Sequence, residues 1–76
     1  MYVVKVVAND GGADYKTFSA LPDALRRFNK PDRGFFDGPT SAHLFDVPGV
    51  SNPNFAIALV EGGQAVFLKR TRFNVF

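Results

Sequence analysis

The chain has 76 residues, with nine Lys and Arg against seven Asp and Glu, a formal net charge of +2, one histidine and no cysteine. This length allows one domain over residues 1–76, and the cysteine and histidine counts exclude a disulfide framework and the usual Cys/His zinc sites. Nine residues are phenylalanine, and because a buried aromatic ring removes about 150–250 Å² from water, a Phe-rich core can stabilise so short a chain.

The first elements along the chain are predicted to be two paired strands. Tyr2–Ala8 (YVVKVVA) is rich in β-branched residues, and because only Lys5 interrupts its apolar character, both faces of this strand are expected to be largely apolar. Asn9–Asp14 contains a Gly-Gly pair and suits a turn. Tyr15–Ser19 is then expected to return as the second strand of a hairpin.

The segment 19–30 (SALPDALRRFNK) predicts one amphipathic helix. Its apolar residues recur at i, i+3, i+4 and i+7 and therefore share one face: Leu21, Ala24, Leu25 and Phe28. Pro22 suits the first turn of a helix, where its missing N–H costs nothing. The helix is expected to end at Lys30, because the residue before a proline avoids the helical region.

After a loop over residues 31–41, the sequence predicts three further strands. Residues 42–47 (AHLFDV) form the first, which Pro48 ends. Residues 55–70 (FAIALVEGGQAVFLKR) have two apolar arms around Gly62-Gly63, which predicts a hairpin with a two-residue turn. One face of this hairpin is expected to belong to the core: Phe55, Ile57, Leu59, Val66 and Leu68.

These elements predict an α+β fold, a single small domain in which one helix packs on one face of an antiparallel sheet of four to five strands, in the order β-β-α-β-β-β. The other face of the final hairpin is also apolar, whereas a solvated face of an antiparallel sheet should be polar. One short helix covers part of only one face. We therefore expect the loop around Phe35 and Phe36, or a second molecule such as another copy of this chain, to cover the other face.

No set of residues indicates an enzyme, a cofactor or a metal site. His43 is the only histidine, and although Ser41, Ser51 and Asp46 supply the other residue types of a Ser-His-Asp triad, nothing in their spacing links them to it. We interpret His43 as a structural or surface histidine. Neither Gly-Gly pair is followed by the Gly-Lys-Ser/Thr ending of a phosphate-binding loop. We expect a protein without catalytic residues, cofactor or metal.

The sequence also predicts a cytoplasmic protein that does not enter a membrane. No apolar run approaches the roughly 18 residues of a membrane span, and the first residues lack the charged and apolar regions of a signal peptide.

The turn-rich loop supports the first functional hypothesis. Two adjacent rings, Phe35 and Phe36, stand between Arg33 and Asp37, and because adjacent side chains of an extended segment point in opposite directions, one ring is expected to be at least partly exposed. Exposed aromatic residues often dominate protein interfaces. We therefore expect a small protein-binding regulator or inhibitor that acts through these four residues and the sheet face. Phage-borne inhibitors of host defence are one class of small regulators, and the analogy with this chain is based on size alone.

A basic and aromatic segment near the C-terminus supports the alternative hypothesis. Residues 1–46 hold equal numbers of basic and acidic residues, so residues 47–76 carry the whole net charge of +2. Single-strand binders combine such cations with aromatic rings, although charged residues also protect an edge strand from aggregation. The alternative is a small nucleic-acid-binding module that uses Lys69, Arg70 and Arg72, extended by Arg26 and Arg27.

Overall fold

The computed structural model describes residues 1–8, 11–29 and 39–72, which form a four-stranded sheet and two helices. The α+β class and the antiparallel sheet expected from the sequence are confirmed. In chain order the elements are β1 (Tyr2–Ala8), β2 (Ala13–Phe18), α1 (Leu21–Asn29), β3 (Pro39–Asp46), α2 (Pro53–Glu61) and β4 (Val66–Arg72).

The sheet has the order β2-β1-β3-β4, and every neighbouring pair is antiparallel. The inner strand β1 is covered on both faces along most of its length, which explains why its sequence is apolar at odd and even positions alike. On one face its valines pack with α1 and β3, in a core of Val4, Val6, Ala24, Phe28, Ala42 and Leu44. On the other face a smaller core joins β1 to α2 and the residue after β3, with Val3, Val47, Ala56 and Val60 buried.

The first helix forms as its periodicity predicts. Ala24 and Phe28, four residues apart, are fully buried against the sheet, and Leu25 packs beside them. Arg27 donates from Nη2 to Asp14 Oδ2 at 2.7 Å, which ties the helix to β2.

The predicted final hairpin is wrong in its first arm, because residues 53–61 are the helix α2. The Asn52 side chain caps it by accepting from the backbone N–H groups of Asn54 and Phe55 at 2.9 and 3.2 Å, and Pro53 occupies the first turn. The Gly62-Gly63 pair ends this helix instead of forming a hairpin turn. Gly63 has a φ of +74°, a backbone conformation that favours glycine.

The helix end has the hydrogen bonds of a Schellman motif, in which the Gln64 N–H donates to Leu59 O at 2.9 Å and the Gly63 N–H to Val60 O at 3.1 Å.

Because residues 53–61 are a helix and not a strand, the core differs from the predicted one. Phe55 is 55% exposed and Leu68 is 45% exposed, while Ala56 and Val60, four residues apart on α2, are buried.

Candidate functional site

The side of the sheet that carries α2 is covered only in part. This helix packs on β1 and β2 through Ala56 and Val60, and the sheet surface toward β3 and β4 extends beyond it. We call this surface the open face and define it by six side chains: Lys5, His43, Phe45, Phe67, Arg70 and Arg72. The members from β4 are exposed, and those from β1 and β3 are half-buried.

Strand register brings these residues together from three separate segments. Lys5, His43 and Arg70 are direct partners in one row across β1, β3 and β4, and Phe45 is opposite Phe67 in the next row. Directly opposed residues project from the same side of a sheet.

A β-bulge decides which side of the sheet the first residues of β4 occupy relative to the rest of that strand. Between Leu44 and Phe45 the register shifts, so that Leu44 is paired with Lys69 and Phe45 with Phe67. Because adjacent residues of β3 point to opposite faces, Lys69 and Phe67 also lie on opposite faces although they are two residues apart. Without the bulge, the exposed ring and the basic residue Arg70 would not share one surface.

Three aromatic rings form a continuous ladder on the open face. The His43 and Phe45 rings are 6.5 Å apart between centroids with an interplanar angle of 19°. The Phe45 and Phe67 rings are 5.8 Å apart in an edge-to-face arrangement at 69°. The last ring is 55% exposed, so the ladder ends in a ring that a flat ligand can reach.

The open face is positively charged. Lys5, Arg70 and Arg72 project from it, and no carboxylate of the described strands shares this side. Asp14 and Asp46 lie on the opposite side, paired in register with Val6 and Tyr2 of β1.

The surroundings of His43 lower the pKa of its side chain. Burial lowers the pKa of its imidazole, and the charges of Lys5 and Arg70 lower that pKa further. The imidazole is therefore neutral at pH 7, within a surface on which added negative charge is stabilised.

The structure separates the basic residues that the sequence groups together. Arg70 and Arg72 lie on the open face, whereas Lys69 lies on the α1 side of the sheet, where its Nζ is 5.7 Å from the centroid of the Phe28 ring. Arg26 and Arg27 are also on the α1 side. Each contacts a carboxylate, the first Asp23 at 3.5 Å and the second Asp14 at 2.7 Å.

Sequence reasoning did not select Lys5, His43 or Phe45 as binding residues. Two local features could have indicated them. Lys5 is the only charged residue in an apolar strand, and His43 and Phe45 are two residues apart in β3 and therefore share one face. Their proximity to β4 depends on register and has no local signal.

The predicted partner-binding residues, Arg33, Phe35, Phe36 and Asp37, lie outside the described residues, as does the loop expected to cover the sheet.

Ser41 and His43 supply two members of a Ser-His-Asp triad, because Ser41 Oγ and His43 Nε2 share a hydrogen bond of 3.1 Å. Asp46, the carboxylate considered from the sequence, does not join them, because it lies on the other face of β3. Within residues 1–8, 11–29 and 39–72, no three His, Asp or Glu side chains are grouped to hold a metal ion.

Neither described helix has the length and apolar character needed to cross a membrane.

A concave region lies between α1 and β2, lined by Lys16, Phe18, Asp23, Arg26 and Arg27. It is shallow, and both of its arginines contact carboxylates. This cleft therefore has less excess positive charge to offer an anion than the open face has.

Comparison with protein-family models, curated proteins and solved structures finds no match to this chain.

Proposed function

We propose that this protein is a non-enzymatic binding protein that holds single-stranded nucleic acid on its open face. The observation that carries the proposal is the composition of that face: three cations and a ladder of three aromatic rings, with no carboxylate from the described strands. Proteins that bind single strands combine positive charge that follows the backbone with rings on which bases stack. A cytoplasmic location, as expected from the sequence, belongs to the same proposal.

The arrangement favours a single strand over a duplex. Phe67 and Phe45 lie on a broad sheet surface, and the bases of a duplex are stacked on one another and cannot stack on these rings. Duplex DNA is commonly read by an α-helix or a two-stranded ribbon that enters the major groove. On the open face Arg70 and Arg72 lie along β4 beside the rings, so phosphates can follow the strand while bases lie over the aromatic ladder.

The decisive experiment compares two phenylalanines of equal exposure. Phe67 on the open face and Phe55 on α2 are both 55% exposed, so truncation of either removes a similar amount of buried ring surface. Binding of labelled oligothymidine and oligouridine of about 12 nucleotides is measured by fluorescence anisotropy at low salt, with a duplex of equal length for comparison. Phe67→Ala is expected to weaken single-strand binding about 5- to 150-fold, since one stacked base contributes about 1–3 kcal/mol. Phe55→Ala is expected to bind as the unmodified protein does.

Two results would contradict the proposal. The first is the absence of any anisotropy change with either oligonucleotide at low salt. The second is an equal loss of affinity in Phe67→Ala and Phe55→Ala, which would show that the open-face ring has no particular role. Stronger binding to the duplex would contradict the single-strand preference.

A second candidate function is the protein-binding regulator or inhibitor expected from the sequence. The observation that favours it is a run of exposed apolar residues on the outermost strand, with Val66 51%, Phe67 55% and Leu68 45% exposed. Leu68→Glu should then abolish retention of a protein partner in affinity purification followed by mass spectrometry, while Arg70→Gln with Arg72→Gln should retain it. Loss of the partner only with the arginine double variant would instead indicate that the partner binds the open face.

A further inference from the structure

We infer that His43 is a contact residue of the open face, and that protonation of its imidazole strengthens the binding of a nucleic-acid backbone there. This inference rests on the proposed function and concerns how the same site is regulated.

His43 occupies the centre of the open face. It is paired with Lys5 on one side and with Arg70 on the other, so the imidazole lies between two cations in a row across three strands. Its ring continues the aromatic ladder through Phe45 at 6.5 Å. A nucleic-acid strand that follows the aromatic ladder and contacts both Lys5 and Arg70 must pass over the imidazole.

Among the residues that the structure describes, the charged groups that face this imidazole are basic on both sides. They are Lys5 from β1, and Arg70 and Arg72 from β4. Tyr15 of β2 extends the same row, with the Lys5 Nζ 5.8 Å from the centroid of its ring. The helix α2 packs over β1 and β2, and its only titratable side chain, Glu61, is exposed in the last turn.

Binding of a phosphate changes the protonation equilibrium of His43. Burial and the charges of Lys5 and Arg70 lower its pKa in the free protein, and a phosphate beside these cations supplies the opposite charge that favours the imidazolium. A protonated imidazole has two N–H donors. Ser41 Oγ, 3.1 Å from Nε2, can accept from one, and a phosphate oxygen can accept from the other. Because binding then takes up a proton, lower pH favours the complex.

The test measures affinity as a function of pH with three proteins. The probe is a labelled oligothymidine of about 12 nucleotides without a terminal phosphate, because thymine has no group that titrates between about pH 5.5 and about pH 8. In the unmodified protein the Kd is expected to fall several-fold over this range as the pH is lowered, by no more than about tenfold per pH unit for one proton. His43→Gln is expected to bind weakly at every pH, and His43→Arg tightly at every pH. Circular dichroism at each pH confirms that all three proteins are folded.

The outcomes separate the inference from the proposed function. If the unmodified protein binds no oligothymidine at any pH, both are wrong. If it binds with a Kd that does not change with pH, or if His43→Gln keeps the same pH dependence, the role of His43 is wrong while the binding site stands. A pH-independent, tight His43→Arg together with a pH-independent, weak His43→Gln supports the inference.

Discussion

The salt dependence of binding is the sharpest measure of the charge on the open face. Each phosphate neutralised on a single strand contributes about −0.7 to the slope of log K against log salt. The open face holds three permanent cations, Lys5, Arg70 and Arg72, so the expected slope is about −2. Removing both arginine charges with Arg70→Gln and Arg72→Gln leaves one permanent cation, and the slope should fall to about −0.7.

A matched double variant controls for net charge. Lys16→Gln with Arg26→Gln removes the same two charges from the opposite side of the sheet, where both residues are exposed. Anisotropy titrations at a series of salt concentrations give the slope for each protein, and this control should keep a slope near that of the unmodified protein. If the two double variants lose slope equally, the effect is one of overall charge and the open face is not the site.

Three further predictions concern the fold and are checked by urea denaturation. Phe28→Ala should cost about 3–5 kcal/mol, because the ring is fully buried between α1 and the sheet, and a loss under about 1 kcal/mol would show that the ring is not a core residue. Asn52→Ala should cost about 1 kcal/mol through loss of the cap of α2, whereas Asn54→Ala keeps the capping bonds and serves as control; equal effects of the two would argue against the cap. Below about pH 6.5 the free energy of unfolding should fall, because the unfolded chain binds a proton at His43 that the folded protein, with its lowered pKa, resists. His43→Gln should reduce this acid sensitivity, and an unchanged pH profile would show that His43 is not its source.

Much of the sheet and the first helix could be predicted because their signals are local. The β-branched run Tyr2–Ala8 reads as a strand whatever it pairs with, and the spacing of Ala24 and Phe28 produces one apolar helical face in any context. The apolar character expected for both faces of β1 agrees with its position between two cores.

The second helix could not be separated from a strand by the same means. Residues 55–60 (FAIALV) are continuously apolar, which fits a buried helix or a strand equally well. The Gly62-Gly63 pair suits a hairpin turn and a helix C-terminus alike, because both need a residue with positive φ. Asn52-Pro53 was the local signal for a helix start.

The candidate site divides in the same way. The pair of Arg70 and Arg72 is visible in the chain because the two residues are only two positions apart. Its neighbours Lys5 and His43 are distant in sequence and meet it only through strand pairing. Lys69 lies on the other face from Arg70 because adjacent residues of a strand alternate. The position of Phe67 on the same face as Arg70 depends on one bulge, which no local pattern announces.

By itself, then, the sequence determined β1, the position of α1 and most of β3, although β3 begins at Pro39 and not after a loop that reaches residue 41. It also determined the lack of a disulfide framework and the basic character of the last strand. Only the tertiary structure decided that residues 53–61 are helical and that an open, cationic and aromatic face exists. The physical reason is that helix and strand periodicities are properties of neighbouring residues. The register of a sheet and the burial of Ala56 and Val60 against Val3 and Val47 depend on contacts between distant segments.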